Sequence, residues 1–201
     1  SLDYRLYTAV GAAGELFAVR TILFEQLSDD TLLDDFMLSM NIASKGYKIA
    51  YCSNAYAVEG TSADMHEEAK RKRRISAGGL QSVWRLRRLL NFFRYGILSF
   101  QYLSHRVLRW TLAPVMLPLM LLTNIIVVCH SAQILYTLIL FLQLLFYIIG
   151  GAGWLFSKLG IKKKLPYVAY YFIFMNINVY AGALYLIKRK GNGVWEKAKR
   201  A

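Results

Sequence analysis

The sequence has little of what builds a disulfide framework or a disordered chain. Only two of its 201 residues, Cys52 and Cys129, are cysteines, so a network of disulfides is excluded. Hydrophobic residues make up 56% of the chain. This is above the roughly 45–50% of a soluble domain, whereas disordered chains are poor in such residues. Disorder is therefore excluded, and insertion into a membrane has to be tested.

Acidic residues are almost absent from the last two thirds of the chain. Residues 1–68 contain eleven acidic and four basic residues, a net charge of −7. Residues 69–201 contain one acidic and twenty-one basic residues, a net charge of +20. The resulting +13 is typical of proteins that bind nucleic acid or an anionic membrane. The position of the charge along the chain decides between these partners.

Two long segments contain no charged side chain. Residues 110–157 and 165–187 have no Asp, Glu, Lys or Arg, and a membrane-spanning helix needs about 20 largely apolar residues. The first segment predicts two spans, at residues 111–128 and 133–156, with a turn between them. Basic residues cluster just outside the apolar segments, as they do in membrane proteins. We therefore predict a lipid bilayer, and no nucleic acid, as a partner.

The third apolar segment, residues 166–187, leaves two interpretations open. It is long enough for a span, but it contains five tyrosines and two asparagines, and tyrosine prefers the membrane interface. If Arg109 is cytoplasmic, a third span would also place the basic tail, residues 188–200, on the outer side. Basic residues prefer the cytoplasmic side, so this placement disfavours a third span. The segment either crosses the membrane, or it lies in the interface or packs against other helices.

The acidic part of the chain has the pattern of half an α/β domain. Residues 10–14 read as a glycine turn, and residues 15–20 as a short strand or the start of a helix. Apolar residues at roughly helical spacing predict a helix over residues 31–44. Residues 47–51 alternate with a period of two, which is typical of a strand, and residues 55–59 predict another short strand.

The segment between this part and the first span is basic and amphipathic. A polar helix is predicted from residue 62 to 74, and it leads into residues 75–90, where apolar side chains alternate with arginines. Residues 91–110 continue in the same style. Such helices are suited to lying on a membrane surface. Gly46, before this segment, is predicted to end the helix over residues 31–44.

Two groups of charged side chains could carry chemistry. Asp34 and Asp35 start a predicted helix, where carboxylates stabilise the helix dipole and act as caps. Alternatively one is a general base, because repulsion between neighbouring carboxylates raises a pKa. The basic run at residues 71–74 is either a patch beside the membrane or a clamp on a diphosphate. Gly78 and Gly79 indicate close approach of a partner backbone or a ligand.

Taken together, these segments resemble the C-terminal half of a membrane-bound family 2 glycosyltransferase, the group that includes cellulose- and hyaluronan-synthase-like enzymes. Gly14, followed six residues later by Arg20, resembles the acceptor-side segment of that family. Residues 33–36 and 45–49 resemble its acidic base motif and the strand that follows. Glu59 stands where the family often has a glutamate.

The basic run resembles the family's interfacial-helix motif, written Gln-x-x-Arg-Trp in the processive synthases. Arg74 matches the motif arginine, whereas Arg71 stands in place of Gln and Ile75 in place of Trp. These two departures argue against a cellulose- or hyaluronan-type processive mechanism. Residues 104–110 and the basic tail at 194–200 are also similar to family segments.

The resemblance implies an inverting transfer of a sugar from a nucleotide-diphosphate sugar to a hydroxyl of a glycan or lipid acceptor, in polysaccharide or glycolipid synthesis. It makes Asp35 the general base, with Asp34 shaping the site. Arg74, with Arg71 and Lys72, would neutralise the leaving diphosphate. A divalent metal, Mg or Mn, is also implied, but its Asp-x-Asp ligand motif is absent from this sequence.

The resemblance also implies a fold. The expected fold class is α/β, the C-terminal part of a GT-A-type domain over residues 1–68. Amphipathic interfacial helices would follow at residues 69–110. Two transmembrane helices at residues 111–157 and an interfacial or third transmembrane helix with a basic tail at residues 158–201 would complete an all-α membrane region.

The place of the enzyme follows from the same resemblance. It is expected in the bacterial inner membrane, with the catalytic domain in the cytoplasm. Because the chain starts without Met and lacks the metal motif, we expect it to be the latter part of a longer protein and inactive on its own.

The alternative is a non-catalytic membrane scaffold or a transporter subunit. That class of protein expects ionisable residues inside the spans, because such residues mark transport pathways, and the apolar segments contain none. A nucleic-acid-binding protein expects basic residues interleaved with aromatic ones on a soluble face. The long apolar segments disfavour it.

Overall fold

A computed structural model describes residues 2–58, 60, 64–131, 133–161 and 163–188. It contains two compact units. Unit 1 comprises the described residues of Ser1–Thr111 and Ala181–Ala201, and unit 2 comprises those of Leu112–Tyr180.

Unit 1 is helical wherever its described residues have regular structure. Its α-helices in chain order are α1 (Leu2–Leu6), α2 (Asp34–Ser44), α3 (Met65–Arg85), α4 (Phe92–Tyr95), α5 (Ile97–Tyr102) and α6 (Leu108–Trp110). It also contains two 3-10 helices, Thr21–Leu23 and Arg87–Leu90, and one π-helical turn, Leu103–Val107, among its described residues.

The α/β fold class expected from the sequence is wrong, because no strand or sheet occurs in the described part of the chain. Residues 47–51 and 55–58 form no strand, and residues 15–20 form neither strand nor helix. Glu59 lies outside the described residues.

A ladder between two extended segments stops after one backbone bond. The Ala9 N–H donates to the Ile49 carbonyl over 3.1 Å. The return bond is missing, because the Ile49 N–H donates to the Thr8 hydroxyl over 2.7 Å. A strand pair needs successive backbone bonds in both directions, so this contact does not grow into a sheet.

The predicted helix over residues 31–44 is found as α2, which begins three residues later. The Leu32 N–H is bound by the side chain of Gln81 over 3.0 Å, so the chain enters the helix only at Asp34. Gly46 follows the C-cap Lys45 with a φ of +92°, a conformation that glycine adopts readily. Its N–H donates to Ala43 over 3.0 Å, and it ends the helix as predicted.

Helix α2 provides much of the core of unit 1. Four of its apolar side chains are buried in one cluster with Val10, which precedes the helix, and with residues that follow it. The cluster contains Val10, Phe36, Met37, Met40, Ala43, Leu86, Leu89, Leu98, Tyr102, Val107 and Trp110. Burying one such large side chain contributes roughly 1.5–3 kcal/mol. The cluster therefore fixes the first turn of α2, where Asp34 and Asp35 lie.

Helix α3 holds the loop that leads into α2. The Gln81 side chain accepts from Leu32 and donates to the Asp30 carbonyl over 2.9 Å. Arg85 forms an ion pair with Asp30, and its hydrogen bond lowers the pKa of that carboxyl.

The glycine pair of α3 meets side chains. A Cβ on Gly78 would lie 2.5 Å from Leu33, and one on Gly79 would lie 2.5 Å from the Trp110 ring. The sequence predicted that a partner backbone or a ligand approaches these glycines closely. In the structure, side chains of unit 1 approach them instead.

Three helices are long and apolar enough to cross a membrane: α7 (Leu112–His130), α8 (Ile134–Lys158) and α9 (Lys164–Lys188). The first two match the predicted spans to within two residues at each end, and the third contains the segment left open by the sequence. By these helices the chain is a membrane protein. The basic tail from residue 189 onward lies outside the described residues.

Polar groups of unit 2 are paired between its helices. Pro118 has no N–H to offer the Pro114 carbonyl, and the Tyr180 hydroxyl donates to that carbonyl over 2.7 Å. The Asn124 amide donates to Gln143 over 2.9 Å and so joins α7 to α8. Helix α9 thus contacts α7, and this contact is compatible with both interpretations that the sequence left open.

We expect the substitution Tyr180→Phe to destabilise the protein, because the Pro114 carbonyl then loses its donor. The loss should be about 0.6–1.7 kcal/mol, the range of hydrogen bonds between membrane helices. Thermal unfolding in lipid nanodiscs measures it. Tyr136→Phe in α8 is the control, since that hydroxyl has no partner among the described residues. Equal melting temperatures for the two variants would contradict the assignment.

Candidate functional site

The carboxylate of Asp35 lies against the glycine turn, which we define as residues 10–14. A Cβ on Gly14 would come within 2.9 Å of Asp35 Oδ2, so only a glycine fits there without a shift of the carboxylate. The structure therefore brings together two residues that the sequence assigned to the site, one in the acceptor-side segment and one as the base.

A serine of α2 joins the glycine turn to that helix by hydrogen bonds. The hydroxyl of Ser39 accepts from the Ala12 N–H over 2.9 Å and donates to the Asp35 carbonyl over 2.7 Å. Gly11 has a φ of +90°, and the ring of Phe36 occupies the space that a Cβ there would need. The turn and the first turn of α2 therefore keep a fixed spacing.

Arg106 also binds the glycine turn, at its first residue. Its Nε and Nη2 donate to the Val10 carbonyl over 3.2 and 2.7 Å. Its guanidinium lies 5.2 Å from the centre of the Phe36 ring and 5.5 Å from that of Trp110. One arginine thus contacts the start of the turn and the aromatic neighbour of Asp35.

The two adjacent carboxylates lie in different surroundings. Asp34 is exposed, whereas Asp35 is half-buried. Burial raises the pKa of Asp35, and the negative charges of Asp34 and Glu15 raise it further. A hydrogen bond from the Phe36 N–H and the charge of Arg106 act in the opposite direction. A carboxyl with a raised pKa is better suited to accept a proton near neutral pH.

The basic run of α3 divides into paired and unpaired side chains. Arg71 Nη2 lies 3.7 Å from the carboxylate of Glu15, the residue after the glycine turn, and Lys72 pairs with Glu68 over 3.3 Å. Arg74 is half-buried and has no ion pair among the described residues. The turn and the run therefore meet through Arg71.

Arg20 is not brought into this group. It is exposed, and its side chain forms no hydrogen bond or ion pair with the described residues. Its assignment to the acceptor side stays a prediction.

The described residues do not fit a resident metal. They contain no group of three or more His, Cys, Asp or Glu side chains that could hold a metal ion. The Mg or Mn ion implied by the resemblance stays a prediction, and no step below passes through it.

Arg106 and Ser39 were missed as site residues. Basic residues commonly flank membrane spans, so a basic residue just before an apolar segment gives no separate indication of a site. Arg106 was not predicted for this reason. Its signal is the spacing to Trp110 four residues later, which places a cation and a ring on one helix face. Ser39 follows Asp35 by four residues, the spacing at which a serine hydroxyl reaches back to a helix carbonyl.

Comparison with known families shows the family of the chain. The chain matches the family described as Glycosyl transferase family group 2 over residues 4–150 of its 201. The chain therefore belongs to this family, and it is a glycosyltransferase. The match includes all of α7 and much of α8. No curated protein and no solved structure gives a significant match.

We expect Gly14→Ala in the full-length protein to slow sugar transfer while the protein still accumulates in membranes. The new Cβ displaces the carboxylate of Asp35, and a misplacement of about 1 Å costs on the order of 10²-fold in rate. Release of nucleoside diphosphate from a panel of nucleotide-diphosphate sugars measures the rate.

Gly151→Ala in α8 is the matched control, because no atom lies within 4 Å of the Cβ it would add. A rate for Gly14→Ala equal to that of this control would show that transfer does not depend on the carboxylate held at the turn.

Proposed function

We propose that unit 1 provides the acceptor side of an inverting glycosyltransferase, with Asp35 as the general base. The observation that carries this proposal is the half-buried carboxylate of Asp35 held against the glycine turn at Gly14. The family of the chain supplies the reaction class, which is glycosyl transfer.

The surroundings of Asp35 suit a base that must be ionised before the reaction and protonated after it. Burial and the carboxylates of Asp34 and Glu15 raise its pKa and favour proton uptake. The Phe36 N–H and Arg106 favour the ionised form and so keep the base available. Asp34, exposed beside it, contributes charge to the site.

The proposed step moves one proton and one electron pair. The acceptor hydroxyl of a glycan or lipid loses its proton to the carboxylate of Asp35 as its oxygen bonds to the anomeric carbon of the donor sugar. The bond from that carbon to the diphosphate breaks on the opposite face, and its electron pair leaves with the diphosphate. The configuration at the anomeric carbon is therefore inverted.

Basic side chains of α3 are the proposed partners of the leaving diphosphate. Arg74 has no carboxylate partner among the described residues, so its full charge is available to an anion. Arg71 and Lys72 are paired with Glu15 and Glu68 and would add less. Stabilising the charge that develops on a leaving group speeds such a transfer. The proposed donor is a nucleotide-diphosphate sugar.

The charge and the exposed aromatic side chains support a membrane context. Trp84 and Phe93 are strongly exposed, and the guanidinium of Arg87 lies 4.7 Å from the centre of the Trp84 ring. Exposed rings beside basic side chains suit the interface of an anionic membrane. We propose, from the resemblance, that unit 1 acts on the cytoplasmic face of a bacterial inner membrane, in polysaccharide or glycolipid synthesis.

The substitution Asp35→Asn tests the proposal in the full-length protein. An amide cannot take up the proton, so we expect transfer to fall by about 10²–10⁴-fold. Nucleoside diphosphate released from UDP-glucose, UDP-N-acetylglucosamine and GDP-mannose measures the rate in membranes. Asp34→Asn is the matched control, with a smaller loss expected because Asp34 is exposed. Normal turnover by Asp35→Asn would refute the assignment.

A further inference from the structure

We propose that Arg106 is a positioning residue for the reaction: its guanidinium holds the glycine turn and the ring of Phe36 in the arrangement that presents Asp35 to the acceptor. The inference rests on the proposed function of Asp35 as the base. Arg106 positions the base through the turn and through Phe36, and its charge favours the ionised form of Asp35.

The guanidinium of Arg106 is hydrogen-bonded to the glycine turn. Two of its nitrogens donate to one backbone oxygen, that of Val10, over 3.2 and 2.7 Å. The same group lies beside Gly11, since a Cβ there would be 3.6 Å from Nη2. The guanidinium therefore fixes the start of the turn whose far end, Gly14, contacts the carboxylate of Asp35.

Two aromatic rings lie beside the guanidinium. Its central carbon lies 5.2 Å from the centre of the Phe36 ring and 5.5 Å from that of Trp110. The two rings contact each other edge to face at 5.4 Å. Cations within about 6 Å of ring centres are attracted to them. Because Phe36 follows Asp35 in the chain, restraining this ring also restrains the backbone of the base.

The backbone around Arg106 is irregular. It lies in the five-residue π-helical turn Leu103–Val107, between α5 and α6. Such turns are rare, and they occur frequently at functional sites. Among the described residues, Arg106 is the arginine that contacts both the glycine turn and Phe36, and it lies in this irregular turn.

The charge of Arg106 acts on the Asp35 carboxyl. The groups that act on the Asp35 carboxyl are Asp34 on the same helix, Glu15 after the glycine turn and Arg106 on the π-helical turn, with Arg71 of α3 paired to Glu15. Burial and both carboxylates disfavour the ionised base, and Arg106 favours it. The cation thus opposes the effect of burial at the site.

Two substitutions separate charge from geometry. Arg106→Gln removes the cation, so the pKa of Asp35 rises and the acidic limb of the kcat profile moves to higher pH, since the base must be ionised to act. Arg106→Lys keeps the charge but loses the planar fork. We expect that variant to leave the acidic limb in place and to raise the KM for the acceptor, or lower kcat, by at least about tenfold, as for one charged hydrogen bond.

Arg109→Gln is the matched control. That arginine is exposed and lies 5.8 Å from the same Trp110 ring, and it makes no hydrogen bond to the turn. We expect its pH profile and KM to equal those of the unmodified protein. If Arg106→Gln does not accumulate in membranes, Arg106→Lys decides alone, and unchanged kinetics in that variant would overturn the inference.

Asp35→Asn, assayed alongside, separates the two levels of the proposal. An inactive Asp35→Asn together with unshifted Arg106→Gln and unchanged Arg106→Lys would reject the role of Arg106 and keep the base. An active Asp35→Asn would reject the base and the inference with it. The shift with Gln, the kinetic loss with Lys and a silent Arg109→Gln would together support the inference.

Discussion

The ring of Phe36 is buried between the glycine turn, Trp110 and the guanidinium of Arg106. It occupies the space that a Cβ on Gly11 would need, so the turn and the ring fit only because that residue is glycine. Since Asp35 directly precedes Phe36, burying the ring places the carboxylate at the turn. The position of the proposed base therefore depends on an apolar contact, whose burial contributes roughly 1.5–3 kcal/mol.

The charge imbalance of the sequence is partly neutralised inside unit 1. Acidic side chains that precede α3 in the chain, and others in its first turn, form ion pairs with basic side chains of α3. The pairs are Glu15 with Arg71, Asp30 with Arg85, Glu67 with Lys70 and Glu68 with Lys72. Helix α3 thereby connects the glycine turn, through Arg71, with the loop that leads into α2, through Arg85. The same helix carries Arg74, the proposed diphosphate partner.

Helices and site were predictable from the sequence to different extents. The spans and the end of α2 were predictable, because long apolar segments and a left-handed glycine have few other solutions. The strand at residues 47–51 was not, since alternation specifies an extended chain but not its partner, and here the Thr8 side chain takes the bond a strand would make. The motif predicted Asp35 as the base, and the structure shows its carboxylate beside Gly14. Arg106 was not predicted, because the nearby apolar segment already accounts for its charge.

The most direct measurement is the pH dependence with which a hydrophobic carbodiimide, which reacts with protonated carboxyls, labels Asp35 and Asp30 in lipid nanodiscs, quantified by mass spectrometry. We expect half-maximal labelling of Asp35 at a pH above the usual aspartate pKa of about 3.9. Labelling of Asp30, which is paired with Arg85, should already be lost there. Loss of reactivity of both carboxyls at the same pH would contradict a half-buried Asp35 carboxylate with a raised pKa.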